Sequence, residues 1–186
     1  SRGLVGSEMC IRDSPRTADI GAMVNEKQIQ IIEDQVQDAV DRGARLLCGG
    51  KRSEYGLWYQ PTVLDQCNHS MKVMNEPTFG PVIAIARVES DEAAVKMANA
   101  SEYGLNASVW SQDLKRASEL ASRLYVGTAF VNNHAFTGAL ASVPWTGTRN
   151  SGYGIANSAF AIQHYTRPRT LVVDRKKSAD GWWFPM

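Results

Sequence analysis

Glu76-Pro77-Thr78-Phe79-Gly80-Pro81 sets an acid and an aromatic ring three residues apart, just ahead of an apolar run. Two prolines restrict φ and a glycine permits close approach, so this loop is rigid. A carboxylate held there can accept hydrogen bonds from ligand hydroxyl groups, and a ring can pack on a planar group. The same residues also fit a structural turn with a solvated glutamate, and spacing alone does not separate the two. A second segment, Ser151-Gly152-Tyr153-Gly154, carries a Gly-x-Gly pair. A dinucleotide fingerprint needs a third glycine where the chain has Asn157, and a strand directly before it. The pair is therefore read as close backbone packing, or a pocket wall, at the start of a helix near Ser151. A phosphate-binding loop is rejected.

The thiols and imidazoles offer less. Cys67 and His69 form one Cys-x-His pair with no second pair at zinc spacing, so no metal site is assigned. None of Cys10, Cys48 and Cys67 has the base and oxyanion donors of a thiol nucleophile around it, so no catalytic residue is assigned either. A long loop between Asn132 and Asn150 holds His134, the histidine best placed to face a pocket; a solvated or backbone-bonded ring is the other reading. Phe136 and Trp145 read either as aromatics that anchor this loop or as the lining of a largely apolar ligand pocket. His69 and His164 read as surface residues.

The elements that must position these groups follow from periodicity. Asn25 with Gln28 three residues on is a capping-box pattern, and Ile29, Ile32, Val36, Ala39 and Val40 recur behind it at helical spacing until Gly43. Residues 45–48 and 60–64 read as short extended pieces. Residues 82–88 (Val-Ile-Ala-Ile-Ala-Arg-Val) form a near-continuous apolar run, predicted to be a strand buried on both faces. Ser90 caps a helix with Asp91 and Glu92 in its first turn. Residues 106–110 are a strand, and Ser111 caps a helix with Leu114, Ala117, Ala121 and Leu124 on one face. Gly127 ends it, and residues 128–132 form the next strand. Consecutive strand–helix–strand units imply parallel pairing with right-handed crossovers, hence an α/β fold. Residues 169–174 (Arg-Thr-Leu-Val-Val-Asp) are a last strand, in another layer or in another subunit's sheet.

Composition excludes several function classes. The 186 residues are 44% hydrophobic and 21% charged, ordinary for a globular chain. Twenty Lys and Arg against nineteen Asp and Glu leave a net charge of +1, so no basic excess supports nucleic-acid binding. No apolar run approaches the roughly 20 residues of a membrane span. The first nineteen residues lack a signal peptide's apolar stretch, and three cysteines are no disulfide framework, so a cytoplasmic setting is expected. Residues 1–14 have no periodicity and resemble translated adapter sequence; the natural sequence is expected to start near Ser14 or Pro15. Trp182-Trp183-Phe184-Pro185 reads either as a tail folded onto its own domain or as one docked on a partner subunit.

In this order, the pieces resemble the C-terminal portion of the NAD(P)-dependent aldehyde dehydrogenase superfamily. Glu76-x-x-Phe79-Gly80-Pro81-Val82 is similar to the family's E-x-x-FGPV motif. Ser151-Gly152-Tyr153-Gly154 is similar to its SGxG, and Leu47-Cys48-Gly49-Gly50 with Tyr59-Gln60-Pro61-Thr62 to its GG…PT stretch. Tyr103-Gly104-Leu105 and residues 127–132 (Gly-Thr-Ala-Phe-Val-Asn) add support. The resemblance implies a parallel three-layer βαβ portion of a catalytic domain over residues 15–165, and an oligomerisation strand and tail over 166–186. It implies cofactor-binding by Glu76, on the nicotinamide ribose hydroxyls, and by Phe79, beside the nicotinamide. His134, Phe136 and Trp145 would line the aldehyde pocket, NAD or NADP would be the cofactor, and a homo-oligomer the assembly. The family oxidises an aldehyde to a carboxylic acid through a cysteine thiohemiacetal, and a glutamate then activates water. That cysteine and most of the dinucleotide fold lie upstream in the family, so the isolated chain is expected to be inactive. Pro144-Trp145-Thr146-Gly147 departs from the family's Pro-Phe-Gly-Gly, which bears on substrate preference. The contrasting expectation is a non-catalytic α/β binding module.

Overall fold

The computed structural model describes residues 20–54, 56–134 and 140–173. The readings made on residues 1–14, Phe136, Asp174 and the aromatic tail lie outside the described residues. The described residues divide into two compact units, the first running to Glu102 and adding Ser118–Tyr125, the second comprising Tyr103–Ala117 and the described residues from Val126 onward.

In the first unit, helix α1 (Glu26–Asp41) begins where the capping pattern places it. Asn25 is extended, and its Oδ1 accepts the Gln28 N–H at 2.9 Å, satisfying one orphan donor of the first turn. Gly43, at φ 96°, lets the chain turn out of the helix in a conformation that disfavours a side chain. Strand β1 (Arg45–Cys48) runs antiparallel to β2 (Thr62–Asp65), and β2 runs parallel to β3 (Val82–Ala84), in the order β1-β2-β3. One-turn helix α2 (Lys72–Asn75) and the Glu76–Pro81 loop make the crossover between the two parallel strands. The α1 stripe of Ile29, Ile32, Val36 and Ala39 packs with Tyr59, Leu64, Cys67 and Met71 in one core.

Strand β3 is shorter than its apolar run suggests and is not buried on both faces. Val82 and Ala84 pack against the core, whereas Ile83, 62% exposed, points to the other side. A strand alternates its side chains, and within this unit only one face of β3 meets α1. Helix α3 (Asp91–Asn99) is capped by Ser90 as expected, its Oγ accepting the Ala93 N–H at 3.1 Å.

The second unit holds β4 (Tyr103–Gly104), antiparallel to β7 (Thr148–Arg149), and β5 (Asn106–Val109), parallel to β6 (Thr128–Val131). Helix α4 (Leu114–Ser122) joins β5 to β6 as the predicted strand–helix–strand unit. Its cap is Asp113 rather than Ser111: Asp113 Oδ1 accepts the Arg116 N–H at 3.0 Å, and Ser111 Oγ accepts the Asp113 N–H. Ala117 and Ala121 are buried, but Leu114 is exposed, so the apolar face is narrower than its spacing implies. The helix expected near Ser151 starts only after a 3-10 turn (Ala159–Ala161), as the single-turn α5 (Ile162–Tyr165). Gly152 and Gly154 sit at φ 110° and 103°, values no α-helix contains. Residues 169–173 form no strand among the described residues, and Leu171, Val172 and Val173 are exposed. Among the described residues no helix is long and apolar enough to cross a membrane.

Candidate functional site

Helix α2 and the Glu76–Pro81 loop are held on α1 by four of its polar side chains, two for each. Met71, at the N-cap of α2, has no side chain able to cap it. Asp38 does so from α1, its Oδ2 accepting the Lys72 N–H at 2.9 Å while Oδ1 accepts Arg42 Nε at 2.7 Å. Lys72 Nζ donates to Asp34 Oδ2 at 2.6 Å, and this bond above all raises the ammonium pKa. The Lys72 backbone N–H, and Arg42 after it, hold the Asp38 carboxyl below the usual carboxylate range. At the far end of the turn the Glu76 N–H donates to the Lys72 carbonyl at 2.8 Å, and the chain becomes extended with the Glu76 side chain exposed.

Next come the two glutamines. Gln28 Nε2 donates to the Thr78 carbonyl at 2.6 Å, and Gln35 Nε2 to the Pro77 carbonyl at 3.3 Å. They stand seven residues apart, about two turns, and so share one face of α1. The capping box is therefore only half made: Gln28 gives its N–H to Asn25 and sends its side chain to the loop. Phe79 follows at φ 44°, left-handed, and the residue is 80% exposed. A bulky residue in this region is an outlier and marks a place where the surroundings impose the conformation. At Gly80 a Cβ would overlap Ile32 Cδ1, which explains the glycine: the backbone passes directly over the α1 core stripe. Glu76 and Phe79 thus project from one rigid connection, as the sequence implies. The sequence pattern assigns Gln28 to the capping box rather than to the loop and carries no signal for Gln35.

The ion pairs around α2 set a pH dependence. Asp38 is depressed in the folded state, as is Asp65, whose Oδ2 accepts Arg87 at 2.9 Å. Folding therefore favours their ionised forms. Their contribution is complete above about pH 5 and is lost as pH falls through the folded-state values. The melting temperature is expected to fall as pH drops from about 5 to about 3, and to fall less steeply in Asp38→Asn. Equal slopes in thermal melts would remove Asp38 from the account.

In the second unit, a groove of about 380 Å³ is lined by Leu105, Trp145, Tyr153, Ile155, His164 and Tyr165, among others. Trp145 and Ala156 exchange backbone hydrogen bonds of 2.7 and 2.9 Å, and Thr146 Oγ1 donates to the Gly154 carbonyl at 2.6 Å. These bonds hold the two glycines as a wall of the groove, the alternative that sequence left open. His164, read as a surface residue, is exposed and lines it. His134 is not among the lining residues. It is exposed, its N–H donates to Asn133 Oδ1 at 2.7 Å, and its ring lies 6.3 Å from that of Trp110.

Of the described thiols, Cys67 is unsuited to attack. Cys48 Sγ lies 3.8 Å from the Pro61 carbonyl, and burial, followed by the Asp65 charge, pushes the Cys67 thiol pKa up. A thiol kept protonated is a poor nucleophile. Among the described residues no group of three or more His, Cys, Asp or Glu could hold a metal ion.

Residues 8–171 match the profile of the aldehyde dehydrogenase family. Betaine aldehyde dehydrogenase of Bacillus subtilis is 32% identical over 168 residues, which are 88% of this chain and 34% of that protein. Succinate-semialdehyde dehydrogenase [NADP(+)] of Deinococcus radiodurans is 38% identical over 82% of this chain and 32% of its own length. Among solved structures, a Mycobacterium tuberculosis aldehyde dehydrogenase complexed with NAD+ superposes with a TM-score of 0.78 at 33% identity, covering 88% of this chain and 34% of that one. Betaine aldehyde dehydrogenase of Staphylococcus aureus, also with NAD+, gives 0.81 at 29% identity, covering 90% of this chain and 35% of that one. The chain spans about a third of the length of the curated relatives it matches. It belongs to the aldehyde dehydrogenase family.

Proposed function

We propose that this chain is the carboxy-terminal segment of an enzyme that oxidises an aldehyde to a carboxylic acid with NAD or NADP, and that Glu76 and Phe79 are its coenzyme-facing residues. The observation that carries the reading is Phe79: an exposed aromatic ring in a strained backbone conformation, three residues from an exposed carboxylate, on a loop secured by α1. An exposed ring gains nothing for folding at that position, so the strain makes sense as preparation for a planar ligand. These two groups fit a dinucleotide: Glu76 would accept from ribose hydroxyls, and the Phe79 ring would pack beside the nicotinamide. The bound coenzyme supplies the hydride acceptor. This chain's part is to orient it.

Trp145, in the groove wall, and His134, on the neighbouring loop, line the aldehyde pocket in this reading. The exposed Leu171, Val172 and Val173 add to a neighbouring subunit's sheet in a homo-oligomer. Residues 15–165 belong to the catalytic domain and 166–186 to the oligomerisation strand and tail, and the enzyme is cytoplasmic. The chain alone does not turn over aldehyde.

The test is made in the enzyme restored to the length of its relatives. Glu76→Gln keeps the shape and removes the charge, and Phe79→Ala removes the ring. Each is expected to raise the coenzyme KM or lower kcat by about tenfold, with melting temperature and aldehyde KM little changed. Unchanged coenzyme kinetics in both variants would refute the assignment.

A further inference from the structure

We propose that Gln35 is a positioning residue for the coenzyme-facing loop: its buried amide holds the Pro77 carbonyl and, with Gln28 on Thr78, keeps Phe79 left-handed. The inference rests on the reading that Glu76 and Phe79 meet the coenzyme. Gln35 is 1% exposed, on the helix face otherwise made by Ile29, Ile32, Val36 and Ala39. An amide in an apolar core is unfavourable unless both its halves are paired. Nε2 is paired, with the Pro77 carbonyl at 3.3 Å. No donor among the described residues reaches Oε1. For the core alone, an apolar side chain of similar length is the better choice. The gain from glutamine lies in the loop.

Pro77 has no N–H, so its carbonyl is the one backbone polar group through which α1 can hold that residue. The Thr78 carbonyl is held in turn by Gln28 at 2.6 Å. These two carbonyls belong to the peptide groups immediately before and after the Thr78 Cα, and the second leads into Phe79, at φ 44°. Strained conformations of this kind persist only where neighbours over-determine them. The paired amides, two turns apart on one helix, supply that constraint. With the Gln35 bond gone, the Pro77–Thr78 peptide can rotate and the Phe79 φ can relax to negative values, which turns the ring away from its present direction.

The experiment uses the enzyme restored to the length of its relatives, with Gln35→Leu and, in case the branched side chain fails to fold, Gln35→Met. A melting temperature within about 3 °C of the parent, or above it, is expected, because the unpaired Oε1 is gone. The coenzyme KM is expected to rise about tenfold and the aldehyde KM to stay constant. A glutamine that merely props the core gives the reverse pattern, a lower melting temperature with coenzyme KM unchanged, and that result overturns the proposal. So does a rise in KM that comes with a loss of stability in both variants. Glu76→Gln and Phe79→Ala run alongside. If they raise the coenzyme KM and the Gln35 variants do not, the positioning role fails alone. If none of the four moves it, the coenzyme assignment fails and takes the positioning role with it.

Discussion

No NADH is expected when the 186-residue chain is mixed with NAD+ and a panel of aldehydes. Aldehyde oxidation in this family needs a thiolate that attacks the carbonyl and a base that later activates water. Cys48 and Cys67 are the described thiols; Cys48 lies beside a backbone carbonyl, and Cys67 is buried with its pKa raised. Burial keeps Cys67 from yielding a thiolate near neutral pH. Loss of nucleophile and base together removes about 10⁶-fold in a covalent hydrolase, and a loss of that order puts turnover below detection. Residual orientation by Glu76 and Phe79 does not replace bond-making chemistry. Absorbance at the NADH band, followed with pure protein, checks this. Measurable turnover by the pure protein would overturn this expectation, and its loss in Cys48→Ser would assign it to that thiol.

The second large effect is on stability. Ile32→Ala is expected to cost about 3 kcal/mol, the middle of the range for a buried Ile truncated to Ala. Ile32 is fully buried on α1, and its Cδ1 fills the space that a Gly80 side chain would need. The cavity therefore opens under the loop that carries Phe79. Urea unfolding of the chain measures the loss. Ile32→Val, expected to cost about 1 kcal/mol, separates volume from branching. A cost below about 1 kcal/mol for the alanine would mean that the site collapses around the gap, and that the loop does not depend on Ile32 for its seat.

Sequence pattern alone carried α1 well, since an N-cap, an apolar stripe and a terminal glycine all act locally. It carried the β5–α4–β6 unit for the same reason. It failed where a longer-range contact decided the outcome. The apolar run at 82–88 is only a three-residue strand with Ile83 exposed, because β3 meets α1 on one face. The helix expected at Ser151 is absent there, because Gly152 and Gly154 turn the chain into a groove wall held by Trp145 and Thr146. Asp113 displaced Ser111 as a cap within two residues, a choice between two competent side chains that composition does not rank.

The E-x-x-F-G-P spacing and the boundaries of α1 were written in the chain itself, because turn chemistry and capping depend on neighbours in sequence. What holds Glu76 and Phe79 in place was not. Gln28 and Gln35 lie 50 and 42 residues from the carbonyls they bind. Only folding brings α1 against that loop, and a glutamine on an amphipathic helix gives no sign beforehand of which backbone group it will find.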